Sequence, residues 1–234
     1  MKKIIFSILM IASSIASAFT ATEIANCKTR VNAAYISECK ESAWNGSGWN
    51  TGYDNDCQPS YNQALARCDA GKMWIYKSLW NEGTPYEAYR MNMIKLAPPN
   101  YVLRYTDKFE FSISATAGMP LLKQCYYNNQ NLSWYGFISN DSNCNGHPNT
   151  AFVFDYTADS HTYRQYFFPH VVGFSYPDTA ATAPVYSCKG THLNAVSIFA
   201  PQILKTYYFL SFENNCNGKT PLGIILGYGK NLAP

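Results

Sequence analysis

Residues 135–156 read YGFISNDSNCNGHPNTAFVFDY and residues 207–228 read YYFLSFENNCNGKTPLGIILGY. At a constant offset, Tyr135/Tyr207, Phe137/Phe209, Ser139/Ser211, Asn143/Asn215, Cys144/Cys216, Asn145/Asn217, Gly146/Gly218 and Tyr156/Tyr228 stay in step. A proline-led run precedes each copy, PLLKQC ending at Cys125 and PVYSC ending at Cys188. A chain that repeats turn residues and cysteines in this way is expected to build one supersecondary unit twice. In each copy an aromatic strand runs into Asn-Cys-Asn-Gly, where Gly146 or Gly218 takes positive φ without a Cβ clash, and a second apolar run follows. The leading cysteine pairs most simply with the turn cysteine of its own unit, Cys125 with Cys144 and Cys188 with Cys216. Crossed pairing between the units is the alternative. The return run after the first turn has two readings, one through Tyr156 and one through Val171-Val-Gly-Phe174, which echoes Ile225-Leu-Gly-Tyr228 equally well.

The first eighteen residues combine a basic start (Lys2, Lys3), an apolar run from Ile4 to Ile11 and an Ala16-Ser-Ala18 end. That order is a secretory signal peptide, too short in its apolar part to span a bilayer. No other run approaches the roughly twenty apolar residues of a membrane helix. The expected destination is therefore secreted or periplasmic. Removing the signal leaves 16 basic against 15 acidic side chains (18 minus Lys2 and Lys3, against 15), a net charge of +1. So small a charge argues against nucleic acid or anionic lipid as a partner. All eight cysteines follow the signal. An even count in an exported chain implies four disulfides. Metal ligation is the alternative, but no Cys-x-x-Cys or His-x-x-x-His pair occurs, and neither a metal nor a cofactor is expected.

After the signal, Thr20 and Glu23 stand at capping-box spacing and open a predicted helix that runs to about Ala43. A second helix is predicted from Cys57 to Cys68, with Pro59 in its first turn and Gly71 beyond its end. Cys27 and Cys39 span nearly the same length as Cys57 and Cys68. An antiparallel helical hairpin would then bond Cys27 to Cys68 and Cys39 to Cys57. Twelve residues leave Cys27 and Cys39 about 120° apart on a helix, so the first helix is expected to bend or fray. The link 44–56 is rich in turn residues. Lys72–Glu82 reads as helical from Trp74, Ile75, Ser78 and Leu79, and a second capping box, Thr84 to Glu87, opens a short predicted helix to about Lys95. Each large buried side chain contributes about 1.5–3 kcal/mol and each disulfide about 2–4 kcal/mol.

Beyond Pro98-Pro99 the pattern alternates. Segments such as Lys108-Phe-Glu-Phe-Ser-Ile-Ser read as half-buried strands, and β-branched and aromatic residues dominate to the end. The expected fold is α+β: a disulfide-stapled helical unit over 19–97, then a β-rich domain over 98–234 with repeats at about 118–174 and 182–230.

The succession from Pro184 through Tyr208-Phe-Leu-Ser211, Asn215-Cys-Asn-Gly218 and Leu226-Gly-Tyr228 resembles a short disulfide-stapled β repeat of secreted bacterial proteins, often appended beside hydrolase domains. That repeat reads roughly Pro-Leu-Tyr-x-Cys, aromatic-x-Ser, Cys-x-Gly, Leu-Gly-Tyr. Phe174-Ser-Tyr-Pro177 resembles its linker. The resemblance covers about residues 115–230, is weaker in the first copy and leaves out the helical half. It implies a binding or attachment module.

Catalytic signatures are few. The sequence has no Gly-x-Ser-x-Gly elbow, phosphate-cradling loop or His-Glu-x-x-His helix. Asp155, Asp159, His161 and His170 form the densest titratable group, without an evident nucleophile. Glu82, Glu87, Glu110 and Glu213 could be paired in several ways for glycoside hydrolysis, and nothing selects one pair. Nineteen Tyr and five Trp among Asn, Gly and Ser instead supply flat faces with short amide donors. Trp44, Trp49 and Tyr53 in a polar, glycine-broken stretch, and Trp134 and Tyr135 beside the Asn-rich run 128–131, are the candidate binding residues. The expected function is non-catalytic recognition of a glycan or of a host or cell-envelope protein. A small hydrolase with an unidentified acid or His, and an inhibitor of an exported enzyme, are the alternatives.

Overall fold

The computed structural model describes residues 19–44, 49–53, 57–95, 103–126, 136–148, 150–158, 161–194 and 203–233. The first helix, α1 (Ala21–Cys39), starts at a complete capping box. The Thr20 hydroxyl accepts from the Glu23 N–H, and the Glu23 carboxylate accepts from the Thr20 N–H. Cys27, Val31, Ala34 and Tyr35 recur at helical spacing and form its buried side. The helix stops earlier than the sequence pattern predicts. Lys40 is extended (φ −86°, ψ 126°), so Cys39 is the last helical residue and the phase mismatch with Cys27 falls where the chain leaves the helix. Disulfides Cys27–Cys68 and Cys39–Cys57 join α1 to α2 (Cys57–Asp69).

Where turns are predicted between the helices, the chain forms an antiparallel hairpin of β1 (Lys40–Trp44) and β2 (Trp49–Tyr53). The helices predicted over 72–95 are strands as well: β3 (Lys72–Trp80) and β4 (Ala88–Asn92), paired antiparallel. The misreading has a physical origin. Met73, Ile75 and Leu79 do alternate, but Tyr76, Lys77 and Ser78 are also buried, so no polar face marks the period of two. The Thr84–Glu87 spacing closes a turn instead of opening a helix. Thr84 Oγ1 donates to the Asn81 carbonyl at 2.7 Å, and Glu87 Oε2 accepts from the Gly83 N–H at 3.0 Å.

The boundary expected near residue 97 lies outside the described residues. On its two sides, β3 pairs along its whole length with β5 (Leu103–Ser112). Buried residues of α1, α2, β3, β5 and the later strands form one hydrophobic cluster. The main sheet continues through β6 (Leu121–Tyr126), β7 (Gly136–Ser139), β10 (His170–Phe174), β11 (Ala183–Asn194), β12 (Ile203–Ser211) and β13 (Thr220–Leu232), in the order β12-β11-β13-β5-β10-β6-β7. The two ends of this path approach each other, with the Phe137 and Tyr208 ring centroids 6.2 Å apart.

The two duplicated segments share one register. Lys123, Gln124 and Cys125 on β6 stand opposite Ser139, Ile138 and Phe137 on β7. Tyr186, Ser187 and Cys188 on β11 stand opposite Ser211, Leu210 and Phe209 on β12. On the other edge, Gly173 of β10 faces Leu122 and Gly227 of β13 faces Val185. The return strand of the first unit is thus the one ending in Gly173-Phe174, while Tyr156 lies in a separate hairpin. Both glycines mark close approaches: a Cβ would lie 2.8 Å from Phe111 Cβ at Gly173 and 2.7 Å from Ser175 Cβ at Gly227.

Disulfides Cys125–Cys144 and Cys188–Cys216 close each unit internally, so four bridges use all eight cysteines. Thiolate metal ligation is thereby ruled out in this structure, and the bridges fit an oxidising, extracellular environment. The two turns match in detail. Asn145 and Asn217 are left-handed (φ 52° and 54°), and their Oδ1 atoms accept from Ser139 Oγ and Ser211 Oγ, each at 3.2 Å.

Candidate functional site

Residues 152–167 leave the duplicated unit as a hairpin of β8 (Phe152–Ala158) and β9 (His161–Phe167). β9 pairs with β1, giving a second sheet in the order β2-β1-β9-β8. Phe152 and Phe167 stack with centroids 5.0 Å apart and pack on Tyr126, so these positions face the body of the protein. The alternate positions form the opposite face. There Val153 and Asp155 are exposed, and Arg164 donates twice to the Asp155 carboxylate, each bond at 2.7 Å. This paired guanidinium holds the Asp155 carboxyl below its ordinary pKa. Lys40 Nζ sits 4.1 Å from the centre of the Tyr166 ring on the same face.

Strand register places three of the predicted binding residues in rows with these positions. Trp44 is directly opposite Trp49, Ser42 opposite Thr51 and Lys40 opposite Tyr53. Ser42 also pairs with Arg164, which pairs with Asp155, so the Trp44–Trp49 row and the Tyr53 row flank a row ending in a charged pair. Rows at the two ends are about 13 Å apart, and four strands span roughly 14 Å. The register thus sets Trp44, Trp49 and Tyr53 in neighbouring rows with the Arg164–Asp155 pair. Trp134 and Tyr135 lie outside the described residues.

The titratable group does not converge. Asp155 belongs to the outer sheet, and Asp159 lies outside the described residues. His170 is buried in the main sheet, with Nδ1 2.5 Å from the Phe168 carbonyl and Nε2 3.2 Å from Met93 Sδ. Burial lowers its pKa to about 4, which keeps it neutral near pH 7. The four glutamates are also engaged separately. Glu82 pairs with Arg104, Glu87 with Lys219, and Glu213 accepts from Asn217 Nδ2. Glu110, buried, accepts from Trp74 Nε1 at 3.0 Å and lies within 3.6 Å of Lys72 and 3.5 Å of Lys230.

Three perturbed groups escape the sequence reading. Glu38, near the end of α1, accepts from the Met93 and Ile94 N–H groups at 2.9 and 2.7 Å, and burial raises its pKa to about 8. Tyr126 lies close enough for its pKa to be raised by burial and by the Glu38 charge. Lys77, with 1% of its side chain exposed, meets Asp107 at 2.5 Å. Only its position inside an apolar strand could have flagged it. Among the described residues, no three His, Cys, Asp or Glu side chains are grouped to hold a metal ion, and no helix is long and apolar enough to cross a membrane. No known family model, curated protein or solved structure matches this chain.

Proposed function

We propose that this is an exported binding protein that recognises a glycan through the exposed face of the β2-β1-β9-β8 sheet. The supporting observation is the register that groups Trp44, Trp49 and Tyr53 with the Arg164–Asp155 pair. Aromatic rings stack on the apolar faces of sugar rings, while a guanidinium and a carboxylate bind their hydroxyls from opposite hydrogen-bonding roles. A sheet supplies this pattern rigidly, because each position is fixed by ladder bonds. The separation of His170 from Asp155, and the individual pairing of the glutamates, favour binding over hydrolysis. The test is a glycan array probed with the mature protein and with a Trp44→Ala/Trp49→Ala variant. Binding by the first and not the second supports the reading. Binding that survives in the variant would move the site elsewhere.

A further inference from the structure

Lys77 projects from β3 into a nearly closed place, with 1% of its side chain exposed. Its amine lies 2.5 Å from Asp107 Oδ2 and donates to Asn217 Oδ1 at 2.9 Å, with the Tyr89 and Phe209 ring centres 5.0 and 5.6 Å away. Burial drives the amine toward its neutral, nucleophilic form, and Asp107 opposes that shift. The atom it touches belongs to a carboxamide, a neutral side-chain group that can acylate an amine.

The amide is held as an acceptor of attack. Oδ1 takes a second hydrogen bond from Ser211 Oγ at 3.2 Å, and Nδ2 donates to Glu213 Oε2 at 3.0 Å. Donors on one atom and a carboxylate on the other fix which end is oxygen. The backbone is pinned too: Asn217 is left-handed, its N–H donates to Asn215 Oδ1 at 3.0 Å, and its neighbour Cys216 is in a disulfide. Asn217 and Glu213 are exposed, which leaves a path for a small leaving group.

We propose that Lys77 and Asn217 join in an intramolecular isopeptide bond, with Asp107 and Glu213 moving the protons. Asp107 takes a proton from Nζ, and Nζ attacks Cγ of Asn217. The oxygen that gains charge keeps the Ser211 hydroxyl as donor. Collapse breaks the Cγ–Nδ2 bond as the Glu213 carboxylate, having taken a second proton from the attacking nitrogen, passes it to the departing one, and Asp107 returns the first proton to the ammonia that leaves. One Nζ–Cγ bond forms and one Cγ–Nδ2 bond breaks. Of the three ammonium protons, one stays on the new amide and two leave with Nδ2 as ammonium. Nothing is oxidised or reduced, and no co-reactant is consumed. Holding the groups in place supplies the effective concentration that the reaction lacks in solution. The first turn is a natural control. Asn145 has the same Ser139 contact, but Asp141 there binds the Asn143 and Asn145 N–H groups, and Lys123 donates to the Ser142 carbonyl.

Intact-mass spectrometry of the mature, disulfide-bonded protein is the test. The expected mass is one ammonia below that calculated for four disulfides, with tandem spectra showing a branched peptide that joins Lys77 to Asn217. Asn217→Ala and Asp107→Asn should restore the full mass. The wild-type spectrum is decisive even if a variant fails to fold. A full mass with Lys77 and Asn217 on separate peptides would overturn the proposal. So would an ammonia loss traced to a succinimide at Asn217-Gly218 with the Lys77 amine free to label.

Discussion

Trp44 lies directly across the β1–β2 hairpin from Trp49, and the same face carries Tyr53 four residues further along. Cross-strand aromatic pairs contribute roughly 0.2–1 kcal/mol to a hairpin. That is too little to make this pair a major support of the fold, whose core lies in the other sheet. Replacing both tryptophans with alanine is therefore expected to shift Tm by only a few degrees. Thermal unfolding of the variant by circular dichroism checks this, and a large drop would show that the pair holds the structure together.

The disulfides of the duplicated units should contribute nearly equally. They separate 19 and 28 residues, and loop-closure entropy grows only slowly with length. Cys125→Ala/Cys144→Ala and Cys188→Ala/Cys216→Ala should each cost about 3 kcal/mol. Denaturant unfolding of both variants measures this. A clearly larger loss in the second unit would mean that its turn also anchors β3 through Lys77.

Glycine positions separate steric need from free space. Gly173→Ala must push a Cβ against Phe111, and Gly227→Ala one against Ser175, at an expected cost of about 1–3 kcal/mol each. Gly52→Ala, on the outer sheet, meets nothing within 4 Å and should change stability by under about 0.5 kcal/mol. Chemical denaturation of the three variants distinguishes these cases.

Glu38 and His170 give stability opposite dependences on pH. The folded pKa of Glu38 is raised from 4.5 to about 8, so the folded state holds the extra proton and stability falls as pH rises between those values. The folded pKa of His170 is lowered from 6.5 to about 4, so stability rises with pH across that interval. The two slopes oppose each other between pH 4.5 and 6.5, and above 6.5 only the Glu38 decline remains. Its steepest slope is about 1.4 kcal/mol per pH unit. Urea unfolding from pH 4 to 9 should show a plateau and then a fall, and Glu38→Gln should remove the fall. An unchanged decline in that variant would assign it to another group.

Local and covalent features were the ones legible in the sequence. The capping box at Thr20, the two helices and the pairing of cysteines within each unit depend on nearby residues or on bond geometry. β3 was not legible, because burial on both faces hides the alternation that marks a strand. The return strand of the first unit had two readings because the β8–β9 hairpin is inserted before it and joins another sheet. At the candidate site, the aromatic residues of 44–53 were visible but their common face was not. That face exists only because β1 continues from α1 as a strand and then finds β9. Glu38 and Lys77 stayed hidden because Glu38 meets Met93 55 residues away in sequence and Lys77 meets Asn217 140 residues away.

The most direct measurement is titration of the mature protein and the Trp44→Ala/Trp49→Ala variant with an oligosaccharide selected on the array, followed by isothermal calorimetry. Buried aromatic anchors typically cost about 2 kcal/mol or more on truncation, so the variant should bind at least roughly thirtyfold more weakly while keeping its fold. Equal affinity in the two proteins would contradict a glycan site on this face.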